Sequence, residues 1–276
     1  MAAIRVKHLF DSPEPVLVFG GPYSNLQATQ AMRAVATQLG IPADRCICTG
    51  DVVAYCANPV ETVREIRDWG CAVLAGNCEK QLAEEADDCG CGFGSGTTCD
   101  RLSASWYAFA SAALDAEART WMRELPDVLT FGHGSERVLA LHGGLTDISR
   151  FLWPTSPNAA FSEELSAVRR QLQQGQSGGR ITQVVAGHCG MVFDRNMDGM
   201  RWSNAGAIGM PPNDGTPATR YMILEGGNVS FNRLNYDHNA AAQAMETAGL
   251  TQGYHLALRN GDWPSEDVLP AELRRQ

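Results

Sequence analysis

The sequence predicts an α/β fold, and three observations predict it. Short apolar runs rich in β-branched residues alternate with segments whose apolar residues recur at helical spacing. Several of these runs stop at a glycine followed by a polar side chain, where open α/β sheets collect their ligands. The chain of 276 residues is 44% hydrophobic and 19% charged, which is an ordinary globular balance with enough apolar surface for a large core.

The elements follow in order. Residues 1–14 read as a short N-terminal arm. Residues 15–19 are a buried strand closed by the turn Gly20-Gly21-Pro22. Leu26, Met32, Ala36 and Leu39 lie at helical spacing, which predicts a helix over 25–39 with Gly40 as its stop. Residues 46–49 form a second strand that ends at Gly50-Asp51, and Pro59 opens a helix running to 69. Residues 72–74 form a third strand, ending at Gly76-Asn77. Residues 87–101 form an insert whose glycines and cysteines predict a loop. Two helices are expected over 102–114 and 117–125, then a strand pair over 127–131 and 137–141. A helix over 162–174 leads into a polar Gly/Ser/Gln loop through 179. Residues 184–186 form a strand ending at Gly187-His188, and short strands and turns fill 191–234. One domain over 15–264 is expected, followed by a charged tail over 265–276.

Composition narrows the partners. The longest apolar runs are far too short to span a bilayer, so no membrane is expected. The N-terminal residues show no signal-peptide pattern, and a cytoplasmic location is expected. The net charge of −9 without a basic stripe argues against binding a nucleic-acid backbone. An odd count of nine cysteines argues against a disulfide framework.

The four strand ends present Asp51, Asn77, His142 and His188, each beside a glycine that allows a sharp turn. One carboxylate, one amide oxygen and two imidazoles suit a divalent ion such as Zn, Mn or Fe. Each residue taken singly also fits a turn or a hydrogen-bonded structural role. Their succession at strand ends makes them the candidate metal ligands and catalytic residues.

In this order, Gly50-Asp51-Val52-Val53, Gly76-Asn77-Cys78-Glu79, His142-Gly143 and Gly187-His188-Cys189 resemble the calcineurin-like metallophosphoesterases. The segments 50–59 and 204–209 resemble that family's small bacterial phosphodiesterase-like branch. The resemblance spans about residues 16–234. It implies a four-layer α/β/β/α sandwich of two mixed sheets, and hydrolysis of phosphate mono- or diesters. It also implies that Asp51 bridges two metals, with Asn77, His142 and His188 completing one of the two sites. For the other site, Gly21 and Tyr23 stand where the family has Asp and His, and Gly190 stands where it has a second His. Cys78 stands where a transition-state His often follows the Asn. One metal per chain and a phosphorylated small molecule as ligand are therefore expected.

The cysteines leave alternatives open. Cys56, Cys78 and Cys189 adjoin site motifs, while Cys89, Cys91 and Cys99 lie in the insert. They are read as possible thiolate ligands, redox or disulfide partners, or buried structural residues. Two other readings compete with the hydrolase: a catalytically degenerate phosphoesterase that binds a phosphorylated ligand or protein partner, and a thiol–metal or redox protein. Glu79 is a candidate to orient a ligand or to charge a helix start. Tyr23 and Tyr55 are candidate pocket residues, and Trp153-Pro154 a candidate gate.

Overall fold

The computed structural model describes residues 3–172 and 180–275. In chain order the strands and α-helices are β1 (Val6–Ser12), β2 (Val16–Phe19), α1 (Leu26–Gln38), β3 (Cys46–Cys48), α2 (Pro59–Trp69), β4 (Ala72–Val73) and α3 (Asn77–Ala83). Then come α4 (Thr98–Ala113), α5 (Ala116–Glu124), β5 (Val128–His133), β6 (Glu136–Ala140), α6 (Asn158–Leu172) and β7 (Gln183–Ala186). The chain closes with β8 (Val192–Met197), β9 (Met200–Ala205), β10 (Thr219–Glu225), β11 (Asn228–Leu234), α7 (His238–Thr247) and α8 (Tyr254–Asn260).

Two mixed sheets result. One has the order β1-β5-β6-β7-β9-β8 and the other β11-β10-β2-β3-β4. Within them β6, β7 and β9 run parallel, as do β2, β3 and β4. Alternation along the strands builds three cores from these sheets. Val16, Val18, Ile47, Val138, Ala140 and Val185 point into the space between the sheets. Their neighbours Leu17, Phe19, Cys46 and Cys48 face the helices on one outer side. Leu139, Val184 and Ala186 face α6 on the other, with Phe161 and Leu165. Strands buried on both faces explain the unbroken apolar runs in the sequence. The expected four-layer sandwich is the observed fold.

Both chain ends pack against the rest of the fold. The N-terminal arm contains β1, which pairs in parallel with β5 from Val6↔Val128 to Ser12↔His133. Most of β1 is exposed or half-exposed, so its apolar alternation is weak, and it needs β5 to become a strand. The charged tail packs down as far as residue 275. Leu269 is buried, and Arg275 pairs with Asp262 and Glu266. Two helices after Leu234, α7 and α8, had no counterpart in the sequence reading, while the insert ends early because α4 begins at Thr98. The end of the helix expected to reach 174, and the Gly/Ser/Gln loop to 179, lie outside the described residues. Among the described residues no helix is long and apolar enough to cross a membrane.

Candidate metal centre

The carboxyl ends of the two parallel strand groups meet at one rim, and the chain places its polar residues there. Asp51 follows β3, Asn77 starts α3 after β4, His142 follows β6, and His188 follows β7. The structure brings all four together. His142 Nε2 lies 3.0 Å from Asn77 Oδ1, 3.1 Å from His188 Nδ1 and 3.3 Å from Asp51 Oδ2. Asp51, His142 and His188 each offer a ligand atom within 4.8 Å of the others, and among the described residues no cysteine joins this group. Asp51, Asn77 and His142 are buried, and His188 is half-buried. Close approach requires glycine at two neighbours. A Cβ on Gly76 would sit 2.3 Å from Asp51 Oδ1, and one on Gly50 would sit 2.5 Å from the Gly76 nitrogen.

Hydrogen bonds orient two of the groups that face the centre. His142 Nδ1 lies 2.6 Å from the Thr49 carbonyl, which can only accept, so Nδ1 carries the proton and Nε2 is bare in the neutral ring. Asn77 donates its Nδ2 to the Cys89 carbonyl at 2.9 Å, which turns Oδ1 inward. A carboxylate oxygen, an amide oxygen and two imidazole nitrogens therefore converge on one point, each imidazole nitrogen a ligand atom when it carries no proton. That donor set fits a bound divalent cation of the Zn, Mn or Fe type.

Asp51 and His142 shift one another. Burial pushes the Asp51 carboxyl up, but His142, His188 and the Cys78 amide outweigh it and hold the group below its ordinary value. Burial pulls His142 down, yet Asp51 and the Thr49 carbonyl raise it overall. His188 is pushed down to about 3, first by burial and then by His142.

Supporting residues fix these side chains. Glu79 is fully buried and accepts from the backbone N–H groups of Asp51 (2.7 Å), Gly76 (2.8 Å) and Val52 (2.8 Å). Its carboxyl is raised to about 7, by burial first and then by Asp51, while the Gly76 and Asp51 amides oppose the rise. Glu79 thus stands in the first turn of α3 and hydrogen-bonds the backbone of Asp51. Glu164, on α6, accepts from the Leu145 (2.6 Å) and Thr146 (3.0 Å) amides and from Arg150 (2.8 Å), bracing the loop after His142. Asn204 donates to the Gly187 carbonyl at 2.5 Å and accepts from the Gly206 amide at 2.9 Å, holding the turn that presents His188. Sequence reasoning missed Glu164, because its loop partners lie 14–19 positions away and no motif links them.

Residues 20–229 match the family described as calcineurin-like phosphoesterase. The chain belongs to that family. Its fold is similar to that of a hypothetical protein from Pyrococcus horikoshii OT3, at 16% identity and a TM-score of 0.73 over 90% of this chain and 99% of that one. It is also similar to a metallophosphoesterase from Sphaerobacter thermophilus, at 19% identity and a TM-score of 0.66, again over 90% and 99%. A search of curated proteins returned no match.

The turn after β2 is tightly packed. Gly21 has a left-handed φ of 40°, and a Cβ there would lie 2.3 Å from Cζ of Tyr23. The Tyr23 ring thus fills the space a side chain at residue 21 would need. It is locked by edge contact with Tyr55 at 4.9 Å and by its own amide, which donates to the Asp51 carbonyl at 3.1 Å. Asn25 caps α1 through the Ala28 amide at 3.0 Å and donates to the Gly209 carbonyl at 3.0 Å. The stretch 21–25 serves here as scaffold.

The structure corrects the thiol expectations for two residues. Cys89 and Cys91 are joined in a disulfide, so neither is a thiolate ligand in this form. The turn at Gly90, with φ of 58°, brings the two side chains together, so of the three readings left open the disulfide is the one this pair takes. Cys56, Cys78, Cys99 and Cys189 are free and buried, and burial raises each thiol. Cys99 and Cys189 line the cavity beside the centre, together with Cys91. Of the aromatic candidates, Tyr23, Tyr55 and Trp153 line the same cavity, and Phe151 stacks on Trp153 at 5.1 Å and packs on His188 at 4.2 Å.

Proposed function

We propose that the chain is a metal-dependent hydrolase of phosphate mono- or diesters that works through one divalent ion held by Asp51, Asn77, His142 and His188. The observation that carries this reading is the convergence of Asp51, Asn77 and His188 on His142 Nε2, at 3.0–3.3 Å. Family membership and the likeness to a structure named a metallophosphoesterase support it. Such an ion, when bound, supplies a Lewis acid for a phosphoryl oxygen and acidifies a water. The chain's own groups do the rest. Thr49 keeps the proton on His142 Nδ1, Cys89 keeps the Asn77 oxygen inward, and Glu79 holds the backbone on which Asp51 stands. The Tyr23 ring beside Gly21 supports one ion over two, since it takes the volume of a missing ligand.

Metal analysis of the purified protein is expected to return one equivalent per chain, and near none in His142→Ala and His188→Ala. Turnover of 4-nitrophenyl phosphate esters with added Mn or Zn is expected to vanish in both variants. Unchanged turnover removes these residues from the chemistry, and two equivalents of metal reject the single-ion site.

A second reading rests on the same Tyr23 plug. A protein that binds a phosphorylated small molecule or protein partner without turning it over under any metal would satisfy the geometry equally, and nucleotide or phosphate binding with no hydrolysis would select it.

A further inference from the structure

We infer, resting on the metal centre proposed above, that the Cys89–Cys91 disulfide is a redox-sensitive clip that positions Asn77. The centre then binds a divalent ion tightly when the pair is oxidised and weakly when it is reduced. The surroundings of the Asn77 amide carry the argument. Its Nδ2 donates to the Cys89 carbonyl at 2.9 Å and lies 3.5 Å from both Cys91 Sγ and Cys78 Sγ. Of these partners only the carbonyl is an oxygen, and sulfur is the weaker acceptor. The Cys89 carbonyl is thus the group that aims Oδ1 toward His142 Nε2, 3.0 Å away.

Few other bonds hold that carbonyl in place. The pair lies between the end of α3 at Ala83 and the start of α4 at Thr98. Among the described residues, none of 87–93 makes a backbone–backbone hydrogen bond. Gly90 is tied by side chains alone: its N–H donates to the Asp88 carboxylate at 2.7 Å, and its carbonyl accepts from the Ser149 hydroxyl. The covalent link therefore does what a helix or strand does elsewhere, removing conformations that an open loop samples.

Two-electron reduction breaks the S–S bond, and each sulfur takes up a proton. Gly90, at a left-handed φ of 58°, is then free to turn and carries the Cys89 carbonyl off station. Asn77, without its acceptor, can present its NH₂ group to the ion instead of its oxygen, and an NH₂ group is no ligand for a cation. Both sulfurs are buried, but Asp88 and Gly92 on either side are exposed, so the pair lies just beneath the surface.

The test reads Mn binding rather than turnover. A trialkylphosphine reduces the folded full chain, becoming the phosphine oxide with oxygen from water, and is removed before titration. Thiols alkylated after unfolding are expected to rise from seven to nine. Free Mn is followed by electron paramagnetic resonance. Mn is the probe because thiolates suit it poorly, so the new thiols do not mask the loss. The reduced chain is expected to bind Mn about tenfold more weakly or worse, the scale on which outer supports of metal ligands act. Re-oxidation by a small disulfide, which departs as two thiols, is expected to restore the affinity. Cys89→Ser/Cys91→Ser is expected to bind like the reduced parent and to ignore phosphine. In Asn77→Ala the redox effect is expected to shrink below about twofold, which a general loosening of the fold does not predict. Equal or tighter Mn binding after reduction, a full redox effect in Asn77→Ala, or a disulfide that resists phosphine in the folded chain overturns the proposal and leaves the metal centre standing. Loss of far-ultraviolet circular dichroism on reduction assigns the disulfide to the fold as a whole and also overturns it. No Mn binding in either state removes the metal centre itself, and this proposal with it.

Discussion

Glu79 ties the Gly76, Asp51 and Val52 amides to one carboxylate, so the two strand ends after β3 and β4 move as a unit. Glu79→Gln replaces an acceptor oxygen with an NH₂ group that must face backbone N–H donors. It is expected to cost about 1–3 kcal/mol by urea unfolding and to weaken metal binding by roughly 10–100-fold in a chelator competition. Full affinity in that variant would show that Asp51 holds its place without it. Gly21 makes a complementary prediction. Gly21→Asp is expected to destabilise the protein by about 1–3 kcal/mol, through a left-handed φ and collision with Tyr23. Part of that loss should return in Gly21→Asp/Tyr23→Ala, and thermal unfolding of the single and double variants measures the coupling. Asp51 and His188 themselves take left-handed φ values of 56° and 63°. Their surroundings compensate a backbone cost of about 1–3 kcal/mol each, as functional sites commonly do.

At the level of elements, the loop after β6 depends on α6. Glu164 is fully buried on that helix and satisfies the Leu145 and Thr146 amides, the Thr146 hydroxyl and Arg150. Glu164→Ala strands these donors. A loss of about 2–4 kcal/mol is expected in urea unfolding, since unpaired buried donors cost about 1–3 kcal/mol each before relaxation. Ester turnover should fall with it, because the loop positions His142. A variant that unfolds like the parent would mean water replaces the carboxylate. Other elements were readable from the chain alone. Pro59 at the first turn of α2 is a local signal, and it sits where that signal places it. By contrast β1 carries no such signal, because its stability comes from a partner more than a hundred residues away.

For the molecule as a whole, the candidate metal centre lies between two sheets. Asp51 and Asn77 come from the sheet containing β3 and β4, and His142 and His188 from the sheet containing β6 and β7. An ion shared among them should act as a clasp between halves that otherwise meet through the inter-sheet core of Val16, Ile47, Phe131 and Met222. At free metal about a hundredfold above the dissociation constant, binding adds about 2.7 kcal/mol. Chelation should then lower the melting temperature by roughly 5–10 °C at this chain length. No shift on chelation would mean that the four side chains do not hold an ion in the folded state.

Periodicity and turn residues determined the α/β class, the strands that carry the site and the four residues that gather at their ends, because those signals are short-range. Gly21 and Tyr23, at positions where the family resemblance implies an Asp and a His, were visible by direct reading of residues 21–23. What packs around the site was not: the Tyr23 ring over Gly21, the Cys89–Cys91 disulfide, the support from Glu164 and the aromatic walls around the centre appear only in three dimensions. Each depends on contacts between residues brought together by the packing of two sheets. Local sequence carries no record of distance across such an interface, so only the folded chain decided them.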